Sequence, residues 1–116
     1  MKVVQAILAL PISMGIVSLF PIDAQAGTAT YYHPSLTGRR MANGKPYNPN
    51  AMTAASNAYP LGAWVRVTNN RTKKSVIVKI TDRCGNCSID LSKAAFSRIA
   101  HPKKGRVAVS IQRIKR

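Results

Sequence analysis

Two carboxylates, Asp82 and Asp90, flank the only cysteines, Cys84 and Cys87. Apart from Asp23 they are the only acids in a 116-residue chain with 18 lysines and arginines and a formal net charge of +15. No glutamate is present. A positioned carboxyl group can act first as an acid and then as a base if its pKa is raised. Burial raises a carboxyl pKa and a nearby cation lowers it. Asp82 ends the alternating run "SVIVKITD", so its carboxylate belongs at the rim of a sheet, where a groove can form. Asp90 stands in "IDLS", just ahead of a helix-like segment. A carboxylate there can accept backbone N–H bonds and be held ionised. Asp82 is therefore the groove-facing candidate and Asp90 the structural one.

The Cys84-Gly85-Asn86-Cys87 run admits three readings. A redox-active pair lacks the thioredoxin-like βαβ setting. A zinc site needs two more ligands, and His33 and His101, the only histidines, lack ligand spacing. A disulfide pinning the loop after Asp82 is the reading that an oxidising compartment favours. Neither a metal nor another cofactor is expected.

The compartment is read at the N-terminus. Met1-Lys2 precedes a nearly apolar stretch, 3–22, broken by Pro11 and Pro21. Ala24-Gln25-Ala26 is a small-x-small cleavage site. This is the layout of a signal peptide over 1–26, with a mature domain over 27–116. An uncleaved anchor is the other reading, since about 20 apolar residues span a bilayer. No cysteine lies near the cleavage site, so a lipid anchor is not expected. The expected location is the periplasm, the cell envelope or the medium. Cleavage would remove Lys2 and Asp23 together and leave the charge at +15. Such a charge favours polyanionic partners, here anionic cell-wall or envelope polymers. Nucleic acid is not expected, because no nucleic-acid motif is present. A monomer is expected.

Short strands must position these groups. "GTATYY" (27–32) is rich in Thr and Tyr and reads as a first strand. Residues 33–50 are crowded with Gly, Pro and Asn and read as a long loop, a length that is usually functional. "AMTAA" (51–55) is a short strand. "WVRVTN" (64–69), "SVIVKITD" (75–82) and "RVAVSIQRI" (106–114) alternate apolar and polar residues as half-buried strands do. Ser92 reads as a helix N-cap, with Leu91 and Phe96 placed for a hydrophobic staple. His101-Pro102 ends that helix. Five or six strands with one small helix point to an all-β fold closed as a barrel.

"GTATYY", "GRRMANGKPYNPNAMTAA", "YPLGAWVRVTN", "SVIVKITDR" and "IDLSKAAFSRIA" occur in this order. Together they closely resemble the double-psi β-barrel domain of the rare lipoprotein A (RlpA) family. "TDRCGNCSIDLS" is also similar to the cysteine-bearing version in expansin-like and barwin-like domains. The resemblance covers 27–114. It implies a six-stranded double-psi β-barrel at the cell wall that cleaves peptidoglycan glycan strands as a lytic transglycosylase, giving 1,6-anhydro ends. The family's catalytic cluster is an Asp, a His and a Glu. The Asp falls on Asp82, the Glu position holds Lys45 and the His position holds Ser56. Asp82 is thus the candidate catalytic residue, and Tyr32, Lys45, Ser56 and Arg83 are candidate substrate-binding residues. The alternatives are a non-catalytic, expansin-like wall-binding module and a barwin-like barrel that binds and inhibits another protein. Lys45 and Ser56 favour these; the intact "TDR" favours the enzyme.

Overall fold

The computed structural model describes residues 23–116. Residues 1–22, which hold most of the expected signal segment, lie outside them. The strands are Gln25–Tyr31 (β1), Thr53–Ala55 (β2), Trp64–Asn69 (β3), Ser75–Asp82 (β4), Ile89–Leu91 (β5) and Val107–Ile114 (β6). Helix Lys93–Ile99 (α1) lies between β5 and β6. Hydrogen bonding orders the strands β1-β5-β2-β4-β3-β6, and β6 returns to β1 to close the barrel. The pairs β1/β5 and β2/β4 are parallel, and the other four are antiparallel. The fold is the six-stranded double-psi β-barrel with one small helix that the resemblance implied.

Alternation explains the core. Val65 and Val67 of β3, Val78 and Ile80 of β4, and Val109 of β6 point inward and are fully buried. Ile89 and Leu91 of β5 join them, as do Phe96 and Ile99 of α1. α1 starts at Ser92, whose hydroxyl accepts from Ala95 N at 3.1 Å and donates to the Ala51 carbonyl at 2.6 Å. That side chain is fully buried, so the cap also ties the helix to the chain entering β2.

β5 was not expected as a strand. Three residues are too few to show an alternation, and Leu91 reads equally well as part of a helix start. β1 begins at Gln25, ahead of the expected mature start at Gly27. Gln25 and Ala26 pair with Ile111 and Ser110 of β6. Gly27 itself lies against the chain leading into β5: a Cβ there would stand 2.9 Å from Ser88 Cβ and 3.3 Å from Ile111 Cδ1. Gly27→Val should therefore cost about 1–3 kcal/mol through overpacking. Urea denaturation reads this as a lower midpoint; an unchanged midpoint would mean that β1 shifts freely away from Ser88.

One irregularity sets up the site. Ala54 pairs with Ile80, but Ala55 pairs with Asp82, so Thr81 is an extra residue on β4. In a regular strand, residues two apart share a face, and Asp82 would point inward with Ile80. The bulge reverses this. Ala54 and its partners Ile80 and Leu91 face the core. Ala55 and its partners Asp82 and Asp90 face outward.

Candidate functional site

Register places four residues in one row on the outer face. Thr30 of β1 pairs with Asp90 of β5, Asp90 with Ala55 of β2, and Ala55 with Asp82 of β4. The two aspartates are thus two strand spacings apart, about 10 Å between Cα atoms, on the same side of the sheet. Tyr32, two residues beyond Thr30, reaches across the row. Its hydroxyl donates to Asp82 Oδ2 at 2.6 Å. Asp82 Oδ1 accepts from the backbone N–H groups of Ala42 and Arg83, each at 2.8 Å. Asp82 is the acceptor in all three bonds.

The 33–50 loop folds over this row. Tyr47 stacks on Tyr32 with ring centroids 4.1 Å apart and planes 13° from parallel. Met41, Tyr47 and Tyr32 are buried together against Ala55, in a cluster separate from the barrel core. A bulge leaves its extra residue out of the ladder. Here the Thr81 carbonyl accepts from Asn43 N at 3.1 Å, so the irregularity that turns Asp82 outward also fastens the loop. Between loop and barrel lies a cleft of about 310 Å³, lined by Tyr32, Tyr47, Asp82 and Asp90, with Arg39 and Arg40 among its exposed residues.

Asp90 differs from the sequence expectation. Its side chain lies on β5 beside the cleft, and Ser92, not Asp90, caps the helix. Asp90 Oδ1 accepts from the Thr30 hydroxyl at 3.0 Å. Burial pushes its carboxyl pKa up; the Thr30 bond opposes this, and the charge of Asp82 adds to the rise. Far from being held ionised by backbone amides, Asp90 is the carboxyl group whose surroundings favour the proton. Burial, and then the hydrogen bond to Asp82, also push the Tyr32 hydroxyl well above its ordinary range. Tyr32 therefore stays a donor.

The remaining candidates separate. Arg83 lines the cleft, but its guanidinium donates to the carbonyls of Ser56 and Tyr59, each at 2.6 Å. It fastens the chain that follows β2. Ser56 does not reach the cleft. Ala55 faces outward, so its neighbour turns inward and is fully buried. The Ser56 hydroxyl donates to Ser88 O at 3.0 Å and accepts from Ala58 N at 3.1 Å, so its one donor is spent and its burial keeps it from a sugar. Lys45 is exposed near the tip of a small turn closed by an Arg40–Pro46 bridge. It borders a neighbouring hollow with Met41 and Thr81, not the Asp82 cleft.

Cys84 and Cys87 are joined, with Cα atoms 5.9 Å apart. Cys84 packs on the Tyr32 cluster, and the Asn57 side chain bonds both backbone groups of Cys84. The disulfide thus shapes one rim of the cleft. Among the described residues no three of His, Cys, Asp and Glu converge on a point where a metal ion could sit.

A family profile described as lytic transglycolase matches residues 24–111. The chain belongs to this RlpA-like family. An uncharacterized protein of Synechocystis sp. is 58% identical to this RlpA-like chain over 89 residues, which cover 77% of this chain and 98% of that protein. The endolytic peptidoglycan transglycosylase RlpA of Neisseria meningitidis is 41% identical over 93 residues. That match covers 78% of this chain but 39% of the Neisseria protein, so the RlpA-like barrel corresponds to one part of a longer relative. Among solved structures, Streptomyces papain inhibitor superposes with a TM-score of 0.63 at 27% identity, covering 79% of this chain and 94% of that one. A mutant Clavibacter michiganensis expansin in complex with cellohexaose gives 0.62 at 25% identity, covering 79% of this chain and 50% of that one.

Proposed function

We propose that this RlpA-like barrel cleaves peptidoglycan glycan strands endolytically and leaves 1,6-anhydro ends. The observation that carries the reading is the outward row in which Asp82 and Asp90 flank Ala55 and line one cleft. In a lytic transglycosylation the glycosidic oxygen takes a proton and its bond to the anomeric carbon breaks. The C6 hydroxyl of the same sugar attacks that carbon and gives up its proton. Water is not consumed. One group must donate a proton and one must accept a proton. Asp90 is the donor, because its surroundings favour the protonated form. Asp82 is the acceptor, positioned by Tyr32 and two backbone amides. Solvent returns the proton from Asp82 to Asp90 between turnovers. Arg39 and Arg40 at the cleft attract an anionic wall in a salt-sensitive way. The 41% identity to the Neisseria transglycosylase supports the same substrate class. Residues 1–26 acting as a signal peptide, a place in the cell envelope and a monomeric state belong to the same reading.

A non-catalytic, expansin-like wall-binding module is the second reading. It is favoured by the burial of Ser56 and the displacement of Lys45, which leave Asp82 alone among the three family positions at the cleft. The expansin bound to cellohexaose supports it too. Mass spectrometry of purified glycan strands after incubation with the protein separates the two. Anhydro-ended products are expected from the wild type. Asp82→Asn should lower their yield roughly 100-fold, within the range for loss of an acid–base group, and leave strand binding intact. A wild type that binds strands, releases no anhydro products and behaves like Asp82→Asn would make the barrel a binding module.

A further inference from the structure

A second concavity, larger than the Asp82 cleft, lies on another part of the barrel. It measures about 920 Å³ and runs between the β3–β4 hairpin and the chain that links α1 to β6. Arg71 and Lys74 line it from one side, and Lys104 and Arg106 from the other. All four are exposed. Among the described residues no hydrogen bond or ion pair engages their side chains, and none of Asp23, Asp82 and Asp90 lines the trough. Four uncompensated cations facing one hollow repel one another, and an anion in the hollow relieves that repulsion.

The hollow is also held in shape. The buried side chain of Asn69 donates from Nδ2 to the Ile99 carbonyl at 2.8 Å, tying the hairpin to the end of α1. Its Oδ1 accepts from Arg71 N at 2.9 Å and fixes the turn that carries Arg71. Asn70 N donates to Ala108 O at 3.0 Å and joins the hairpin to β6. The two cation-bearing loops are therefore fixed relative to each other before any ligand arrives. Ser75 and Asp82, at the two ends of β4, are seven residue steps apart, about 23 Å. The trough borders the first end and the Asp82 cleft the second, so a ligand in the trough does not occupy the cleft.

We propose that this trough binds a polyanion whose charges are phosphate groups. Four full positive charges around one hollow match a chain with a charge on every backbone unit. The two guanidiniums suit tetrahedral oxyanions, which they can hold through paired N–H bonds. The proposal does not depend on the cleavage reading.

Titration of the full chain with long-chain inorganic polyphosphate tests it. The variant Arg71→Gln, Lys74→Gln, Lys104→Gln, Arg106→Gln should bind at least about tenfold more weakly, and its log K against log salt should be shallower by about 3, as counterion release requires for four lost phosphate contacts. Strand cleavage by this variant should match the wild type. The control Lys79→Gln, Arg113→Gln, Lys115→Gln, Arg116→Gln removes the same charge elsewhere and should retain most of the affinity. Equal loss in the control would overturn the proposal, because binding would then follow net charge alone. Polygalacturonate binding the wild type as tightly as polyphosphate would overturn the phosphate assignment. Tighter capture by phosphatidylglycerol vesicles than by polyphosphate would assign the trough to a membrane surface instead.

Discussion

Asp90→Asn should abolish strand cleavage and raise the melting temperature of the same protein. The two effects share one cause. Asp90 is half-buried, and both burial and the charge of Asp82 favour its protonated form. A carboxyl group whose folded pKa is raised contributes stability that is fully present below its unfolded pKa and is lost as pH rises through the folded value. Wherever Asp90 is ionised, its charge is therefore a liability. Asparagine removes the charge and keeps an oxygen for the Thr30 hydroxyl. Calorimetry should show the higher Tm as pH rises through the Asp90 pKa, with the gain vanishing below the ordinary carboxyl range. Cleavage should fall about 1,000-fold, because no proton donor remains. Wild-type cleavage should decline as pH rises through the Asp90 pKa, and the residual activity of Asp82→Asn should decline at lower pH, since one cause of the shift is gone. Near-normal cleavage by a folded Asp90→Asn would remove Asp90 from the chemistry. A lower Tm would make its role structural.

Phe96→Ala should remove a large share of the fold's stability. Phe96 is among the largest fully buried side chains, and its ring centroid lies 4.7 Å from that of Tyr31. Among the described residues Phe96 is the one aromatic side chain fully inside the main core cluster, which is otherwise built of Ala, Val, Leu and Ile. Truncating a buried Phe costs about 3–5 kcal/mol, from lost transfer energy and the cavity left behind. A domain of this size holds about 5–15 kcal/mol in all. Urea denaturation followed by Trp64 fluorescence should give a much lower midpoint for the alanine variant. Phe96→Leu should cost clearly less. A loss under about 1 kcal/mol for alanine would mean that α1 packs loosely on the barrel.

What could be read from the sequence follows the range of the interactions involved. β3 and β4 were legible residue for residue, because Val65/Val67 and Val76/Val78/Ile80 alternate over a length that no helix reproduces. The Ser92 cap was legible because a cap is local to one turn. The outward position of Asp82 matched the expectation of a rim carboxylate, but the cause was hidden. A bulge at Thr81 is defined only against β2, and nothing within "KITDR" marks it. The surroundings of Asp90 were hidden for the same reason. Its hydrogen-bond partner, Thr30, lies 60 positions away, and the strands that flank it, β1 and β2, are both distant in sequence. Ser56 looked available because Ser is usually exposed, yet one residue past the outward Ala55 it turns inward. The trough was invisible as a site, because "NNRTKK" and "HPKKGR" read separately as solvated loops.

The pairing of β1 bears on the order in which the chain can fold. Among the described residues this strand has partners only in β5 and β6, so Gln25 waits for Ile111 and Ala29 for Ile89. Synthesis delivers β1 ahead of the other strands, and both its partners follow β2, β3 and β4. Until residues 89–91 have appeared the leading strand has no edge to join, and until about residue 111 has appeared the barrel cannot close. Such long-range pairing makes folding slow, since loop-closure entropy must be overcome before contacts repay it. A chain built this way stays threadable until β6 has emerged. That suits passage through a narrow pore before folding, and it leaves the unpaired "GTATYY" segment exposed to other chains in the meantime.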